Sequence, residues 1–427
     1  MRLLLALVLT AAAWAQTSDL LERIKQHALA ELATAPNYVC VDSIERSVWI
    51  PLQNRYRLLD RIHVELSHVD GADRFAWLGN SAFESRTLTA MVGHGASFAG
   101  DFADNRALLF KNDRVTISYA GRVTMDGRDA LRYAYDAPRG ALRVSQPRVS
   151  GYAPAQGSFW IDPDTLDLLQ IDMQGYAIPS RLALRSISNH TTYWRVLIGE
   201  RTALLPRDSE FRLINADGAA RRNLSVFSNC REYTAASTLS FGASATPQPA
   251  ASAGPDARLK PGLQLDLVLD KPIDSTQAAV GDPVRARVLK GDRGIPRGAH
   301  VYGRVLSIVN FDDQAPLPVP QKPAPPPKQT ALGHAGQVLI ELEFLQIDDR
   351  HTRAPFIARL IDVDSQPAKH KTEVLSFGYL DYDAVVRYDP PGTASLYVSK
   401  EYPVLDRNVI LRWVTAVPPG ASTRSTK

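Results

Sequence analysis

Along most of this chain, apolar and polar residues alternate with period two. The clearest exception is near the start, where Leu20, Leu21, Ile24, Ala28 and Leu32 recur at helical spacing. They predict one amphipathic helix over 18–34, capped by Ser18 or Asp19 and stopped by Pro36. From residue 37 the strand period takes over. NYVCVDSIERSVWI (37–50) predicts a strand, and RIHVELSHV and ADRFAWLG flank Asp70-Gly71, a favoured two-residue turn. Counting outward from that turn sets Leu66 opposite Phe75 and Val64 opposite Trp77, with Ser67 facing Arg74 and Glu65 facing Ala76. One face is apolar and the other mostly polar, as a sheet with one buried side requires. Phe98, Phe102, Leu108, Leu109 and Phe110 predict a short helix at about 98–110, packed on the sheet. Strands resume around Asp126-Gly127. They continue through GSFWIDPDTLDLLQIDMQG, with a turn at Asp162-Pro163-Asp164, and end at NLSVFSNCREY.

The second half is almost all strand. Leu263, Leu265, Leu267 and Leu269 share one side of LQLDLVLD, and Val284, Ala286 and Val288 follow in phase. Ile295-Pro296-Arg297-Gly298 reads as a turn, and Val338, Ile340, Leu342 and Phe344 share one side of a later strand. Short strands with regular turns predict a small barrel or sandwich. The fold class expected for the whole chain is therefore mainly β. An N-terminal curved antiparallel sheet, an unclosed barrel with helices on its concave face, precedes a C-terminal small β-barrel or sandwich.

Composition divides the chain. Residues 1–15, MRLLLALVLTAAAWA, have a positive start, an apolar stretch too short to span a bilayer, and a small-x-small ending at Ala13-Trp14-Ala15. They read as a cleaved export signal without a lipid anchor, since residue 16 is Gln. Residues 16–240 form the first domain. Residues 241–257, rich in Ala, Ser, Pro and Gly, have linker composition. Residues 258–418 form the second domain, interrupted by a proline-rich loop at 313–332, and 419–427 form a disordered tail. No later apolar stretch is long enough for a membrane span, so the mature chain is expected to have no transmembrane segment.

Over 427 residues the net charge is only +4. That is too weak for a nucleic-acid footprint. Two cysteines, Cys40 and Cys230, suit an oxidising compartment and predict one disulfide, two separate buried thiols being the alternative. Neither has a Cys or His at metal-ligand spacing, so no metal and no cofactor is expected. The chain holds no G-x-S-x-G, no H-E-x-x-H and no phosphate-binding loop. His63 and His68 fall on opposite faces of one strand. Gly93-His94-Gly95 reads as a connector, and Trp77, Trp160, Trp194 and Trp413 read as core. No catalytic residue is singled out.

The helix-then-meander pattern of residues 18–235, with GSFWIDPDTLDLLQI, Ile178-Pro179 and Leu204-Leu205-Pro206, resembles the LolA/LolB-like lipoprotein-carrier superfamily. That resemblance implies an unclosed barrel whose concave apolar face holds acyl chains. Residues 260–363, with LQLDLVLDKPIDS, GDPVRARVL and IPRGAHVYGRVL, more faintly resemble the C-terminal barrel of TrbI-type secretion scaffolds, which implies a fold only. The whole chain, with its ending FSNCREY, looks like a recurrent type of secreted bacterial protein.

These readings combine into an exported, periplasmic or secreted, non-enzymatic binding protein of the cell envelope. Its expected partners are a lipid or other apolar ligand in the first domain and an envelope protein, with no nucleic acid. The alternatives are a structural component of an envelope or secretion assembly, and a hydrolase whose site is scattered in sequence. The expected concave apolar face carries Ile62, Val64, Leu66, Phe75 and Trp77.

Overall fold

A computed structural model describes residues 19–78, 88–92, 104–146, 149–233, 259–292, 295–310, 336–348, 353–365, 374–377, 379–380, 386–387 and 390–417. The export signal, the linker, the proline-rich loop, the tail, and the stretch holding His94, Phe98 and Phe102 lie outside the described residues. The chain divides into two compact units. One holds residues 1–58, 64–76 and 80–239; the other holds 59–63, 77–79 and 240–427.

The first unit opens with helix α1 (19–34). Strands β1 (Tyr38–Ile50), β2 (Arg55–Val69) and β3 (Ala72–Trp77) follow, then helices α2 (Leu88–Met91) and α3 (Asp104–Lys111). Seven strands complete it: β4 (Thr116–Met125), β5 (Arg128–Gln146), β6 (Val149–Ile161), β7 (Leu168–Gly175), β8 (Leu184–Ile198), β9 (Arg201–Asn215) and β10 (Ala220–Glu232). All ten strands share one open, curved sheet in the order β3-β2-β1-β10-β9-β8-β7-β6-β5-β4. From β4 to β10 every strand pairs with the next in sequence, which is a simple meander. The N-terminal trio is then added beyond β10. Because β3 and β4 are opposite edges, the chain between them, which contains α2 and α3, must pass from one edge to the other.

Local chemistry explains the turns. Asp70 and Gly71 have φ of 52° and 76°, and Asp126 and Gly127 have 50° and 77°. Two successive positive φ values are what a tight hairpin turn needs and what Asp-Gly tolerates. Asp162 Oδ1 accepts hydrogen bonds from the backbone N–H groups of Asp164 (2.9 Å) and Thr165 (3.0 Å), which shapes the turn between β6 and β7.

A disulfide joins Cys40 of β1 to Cys230 of β10. The register slips there by one residue, since Val39 faces Arg231 while Val41 faces Ser228. The covalent link thus sits on a β-bulge that joins the meander to the N-terminal trio.

The second unit contributes β11 (Gln264–Leu269), β12 (Ile273–Asp274), β13 (Pro283–Gly291), β14 (His300–Asn310), β15 (Gln337–Asp348), β16 (Arg353–Pro355) and β17 (Ala358–Asp364). It continues with β18 (Val374–Phe377), β19 (Tyr379–Leu380), β20 (Val386–Arg387), β21 (Thr393–Ser399), β22 (Val404–Leu405) and β23 (Ile410–Thr415). Nine of these form a curled open half-barrel whose main path runs β17-β23-β11-β13-β14-β15-β21-β18. The alternation read from the sequence is its core. Leu265, Leu267, Leu269, Val284, Ala286 and Val288 are all buried, with Phe344, Phe356 and Trp413 packed edge-on among themselves.

Candidate functional site

The inner face of the ten-stranded sheet is identified by its register. Tyr133 on β5 faces Phe159 on β6, which faces Ile171 on β7. Ile171 faces Thr191 on β8, then Ser209 on β9, then Ser225 on β10 and Ile44 on β1. This row runs across seven strands and changes character half-way. It is aromatic and aliphatic from β5 to β7, then hydroxylic from β8 to β10.

The apolar half is covered by helices. Ile24 and Ala28 of α1 and Leu109 and Phe110 of α3 pack with Tyr133, Phe159 and Ile171. Tyr133 stacks on Phe159 at 5.3 Å, and Phe110 meets Phe159 edge-on at 5.5 Å. A neighbouring core joins Leu142, Met173, Ile187, Phe211 and Leu213, with Leu108 of α3 against it. Neither core includes a residue of β1 or β10.

A polar clamp holds α1 in place. His27 Nε2 lies 3.0 Å from Asp167 Oδ1. Arg195 donates to both Asp167 oxygens at 2.6 and 2.5 Å and reaches Glu31 of α1 at 3.1 Å. Burial works to raise the Asp167 pKa. The hydrogen bonds from Arg195 and His27 outweigh it, and the carboxyl is held below its usual value.

The hydroxylic half is a buried network. Ser209 donates to Asn189 Oδ1 (2.9 Å), and Asn189 Nδ2 donates to Thr191 Oγ1 (3.2 Å). The two hydroxyls of Thr191 and Ser209 lie 3.3 Å apart. Asp42 of β1 lies on the same face, two residues from Ile44 in an unbroken register. It is 0% exposed, and neither carboxylate oxygen has a hydrogen-bond partner. Burial pushes its pKa up to about 8, only partly opposed by the nearby Ser225 hydroxyl. Further groups on this inner face are also buried. Arg106 of α3 donates to the Leu204 carbonyl at 3.0 Å and lies over the Tyr193 ring, while Arg46 and Asn223 face each other on β1 and β10.

The outer face carries a shallow depression of about 390 Å³ lined by Asp172, Gln174, Ser188, His190, Glu210 and Arg212, among others. His190 Nδ1 lies 2.6 Å from Asp172 Oδ1. That bond is the largest influence on His190, raising its pKa against the opposing effect of burial. Gly157 lies beneath the same region. A Cβ there would come 1.9 Å from the Asp172 carbonyl oxygen and 3.0 Å from the Tyr135 hydroxyl.

The five residues read as a concave apolar face are all buried: Ile62, Val64, Leu66, Phe75 and Trp77 are at most 9% exposed. They do not form one face of one unit. Val64, Leu66 and Phe75 belong to the first unit, whereas Ile62 and Trp77 group with the second. There Ile62 makes an isolated parallel bridge to Val280, and the Arg304 guanidinium lies 5.1 Å from the Trp77 ring. None of the five joins the helix-packed cores, which come from β5 to β9 instead. The supposed polar side of β2 is buried as well. Glu65 is 3% exposed and accepts from Arg231 at 2.8 Å, and Ser67 is buried.

Trp194 departs from its core assignment. It is 43% exposed, because its strand phase points it outward. His63 pairs with Asp282 and His68 with Asp73, each at 2.6 Å. Among the described residues no cluster of three or more His, Cys, Asp or Glu could hold a metal. Among the same residues no helix is long and apolar enough to cross a membrane.

Sequence alternation did carry a signal for the site. Asp42 stands in phase with Tyr38, Cys40 and Ile44, a lone acid at a buried strand position.

No protein-family model and no curated protein matches the sequence. Two crystal structures are similar to it over half its length. A DUF1329 family protein from Desulfovibrio piger ATCC 29098 has 13% identity and a TM-score of 0.27, covering 51% of this chain and 94% of that one. A putative outer membrane lipoprotein-sorting protein domain from Vibrio parahaemolyticus has 12% identity and a TM-score of 0.25, covering 50% and 92%. The second is of the kind the sequence resemblance names, and neither is a TrbI-type barrel. At this distance neither says what the present chain binds.

Proposed function

We propose that this chain is an exported, non-enzymatic binding protein of the cell envelope whose first unit holds a lipid or other apolar ligand. The observation that carries the reading is the two-part inner face. A row across it is apolar from β5 to β7, at Tyr133, Phe159 and Ile171 beneath two separate helices, and hydroxylic from β8 to β10, at Thr191, Ser209 and Ser225, with Asp42 buried beyond it and Phe211 and Phe227 alongside. A sheet that only needed a core would bury apolar residues throughout, because each unbonded polar group taken out of water is costly. A buried face that carries a polar row among apolar side chains suits an amphiphile. α1 is held by ion pairs and hydrogen bonds to Asp167 and Arg195, a clamp that can open without tearing the sheet.

Native mass spectrometry of protein purified from its own envelope tests the reading. A retained lipid-sized mass that is lost on denaturation is the expected result. Bare chain mass, together with no saturable binding of the neutral apolar probe N-phenyl-1-naphthylamine, would overturn it.

A further inference from the structure

Asp42 is the least satisfied polar group of the inner face. It is fully buried, neither oxygen has a partner at full hydrogen-bond geometry, and the one side chain near enough to bond it weakly is the neutral Ser225 hydroxyl, which does not offset its burial. No Arg, Lys or His is among the groups that influence its carboxyl. Buried polar groups in native proteins are nearly always bonded, so an orphan carboxyl at a candidate ligand face needs a partner. The register shows where that partner would sit. Phe227 is directly opposite Asp42, and Ser225 is its diagonal neighbour. Ser225 faces Ser209, which faces Thr191, so three small hydroxylic side chains lead from Asp42 to the aliphatic residues of β7.

We propose that Asp42 is the head-group anchor of the first unit, and that its ligand is an apolar chain ending in a hydrogen-bond donor, an ammonium or a hydroxyl. The inference rests on the ligand-binding reading above and adds the polarity of the head. An ammonium would convert Asp42 to its ionised form and make a charge-assisted bond with it. A hydroxyl would donate to one oxygen and accept from Ser225. A carboxylate or phosphate head would meet a carboxyl that already holds its proton, gain one hydrogen bond from it, and leave its own charge without a cation in a site of low polarity. The chain would extend across β8 toward Ile171 and Phe159.

The test uses the full-length wild-type protein loaded with N-phenyl-1-naphthylamine. Dodecylamine and dodecanoate below their critical micelle concentrations, and dodecanol below its solubility limit, are compared as displacers at pH 7. Dodecylamine should displace at least about tenfold more tightly than dodecanoate, as expected for a bond to a charged group. Asp42→Asn should bring those two within about twofold while leaving dodecanol binding. Ser225→Ala should weaken dodecanol more than dodecylamine. Because the ranking is read first on wild type, the result does not depend on a variant folding. Displacement with no preference, or with dodecanoate tightest, overturns the anchor and leaves the ligand-binding reading standing. Retention of the amine preference in a folded Asp42→Asn protein does the same. No displacement by any of the three overturns both.

Discussion

His27 and Asp167 meet at 3.0 Å across 140 residues of sequence, and Arg195 completes the contact from β8. This fastens α1 to the strands it covers. Replacing Asp167 with Asn should cost about 1–3 kcal/mol, because it weakens several charged hydrogen bonds at once. Amide exchange in residues 19–34 should quicken before exchange in β5 to β8 does. The sign with pH follows from the lowered Asp167 pKa. Its contribution is present above the unfolded carboxylate range and is lost as pH falls below about 4. The protection of the helix amides, taken relative to their intrinsic exchange rates at each pH, should therefore fall in acid in wild type and change less in the variant.

Asp42 should behave the opposite way. Its pKa is raised to about 8, so the folded state holds the proton more tightly than the unfolded chain does. Its burden on stability is absent in acid and grows as pH rises between the unfolded carboxylate range and about 8. Without ligand, Asp42→Asn should match wild type near pH 4 and exceed it by at least about 1 kcal/mol at pH 8, since each tenfold difference in proton affinity between the two states is worth about 1.4 kcal/mol. Thermal melts at the two pH values measure this. A variant less stable than wild type at pH 8 would count against the assignment.

Both cysteines are consumed by the Cys40–Cys230 bond. Denatured, unreduced protein should show no reactive thiol. The bond closes a loop spanning 190 residues of sequence, so Cys40→Ser with Cys230→Ser should cost up to about 5 kcal/mol in the chain-entropy model. The melting temperature with and without reductant is the measurement.

Gly157 should tolerate no side chain. A Cβ would strike the Asp172 carbonyl, which belongs to the sheet backbone and also accepts the Tyr135 hydroxyl at 3.0 Å. Gly157→Ala should cost at least about 2 kcal/mol by overpacking. Denaturant melts would read it directly.

The parts of this fold that sequence exposes are those encoded locally. Asp70-Gly71 and Asp126-Gly127 place their own hairpins, and the leucines of LQLDLVLD announce their buried side. Pairing of β1 with β10 is announced only by the two cysteines, Cys40 and Cys230; its register is not, because nothing else near Tyr38 or Glu232 names a partner so far away. The burial of Glu65 is also hidden. A polar residue in the outward phase reads as solvated until Arg231 is seen beside it. Grouping of Ile62 and Trp77 apart from Val64 and Leu66 escapes a rule that assigns one strand to one core. The place of the helix-covered face is hidden for a related reason. Period two says that a strand has two sides, not which of ten strands the helices cover.

The order of strands in the first unit also bears on how the chain acquires its structure. β1, β2 and β3 are synthesised first, yet β1 pairs with the last strand of the sheet. Until residue 232 has emerged, the N-terminal trio has no neighbour on one side, and the disulfide has only one of its sulfurs in place. Assembly of this unit is therefore completed at its end rather than along the way. Long-range strand pairing of this kind is slow and leaves unpaired edges open to aggregation meanwhile. A truncation ending before β10 should be insoluble, although it retains most of the residues that make the apolar core.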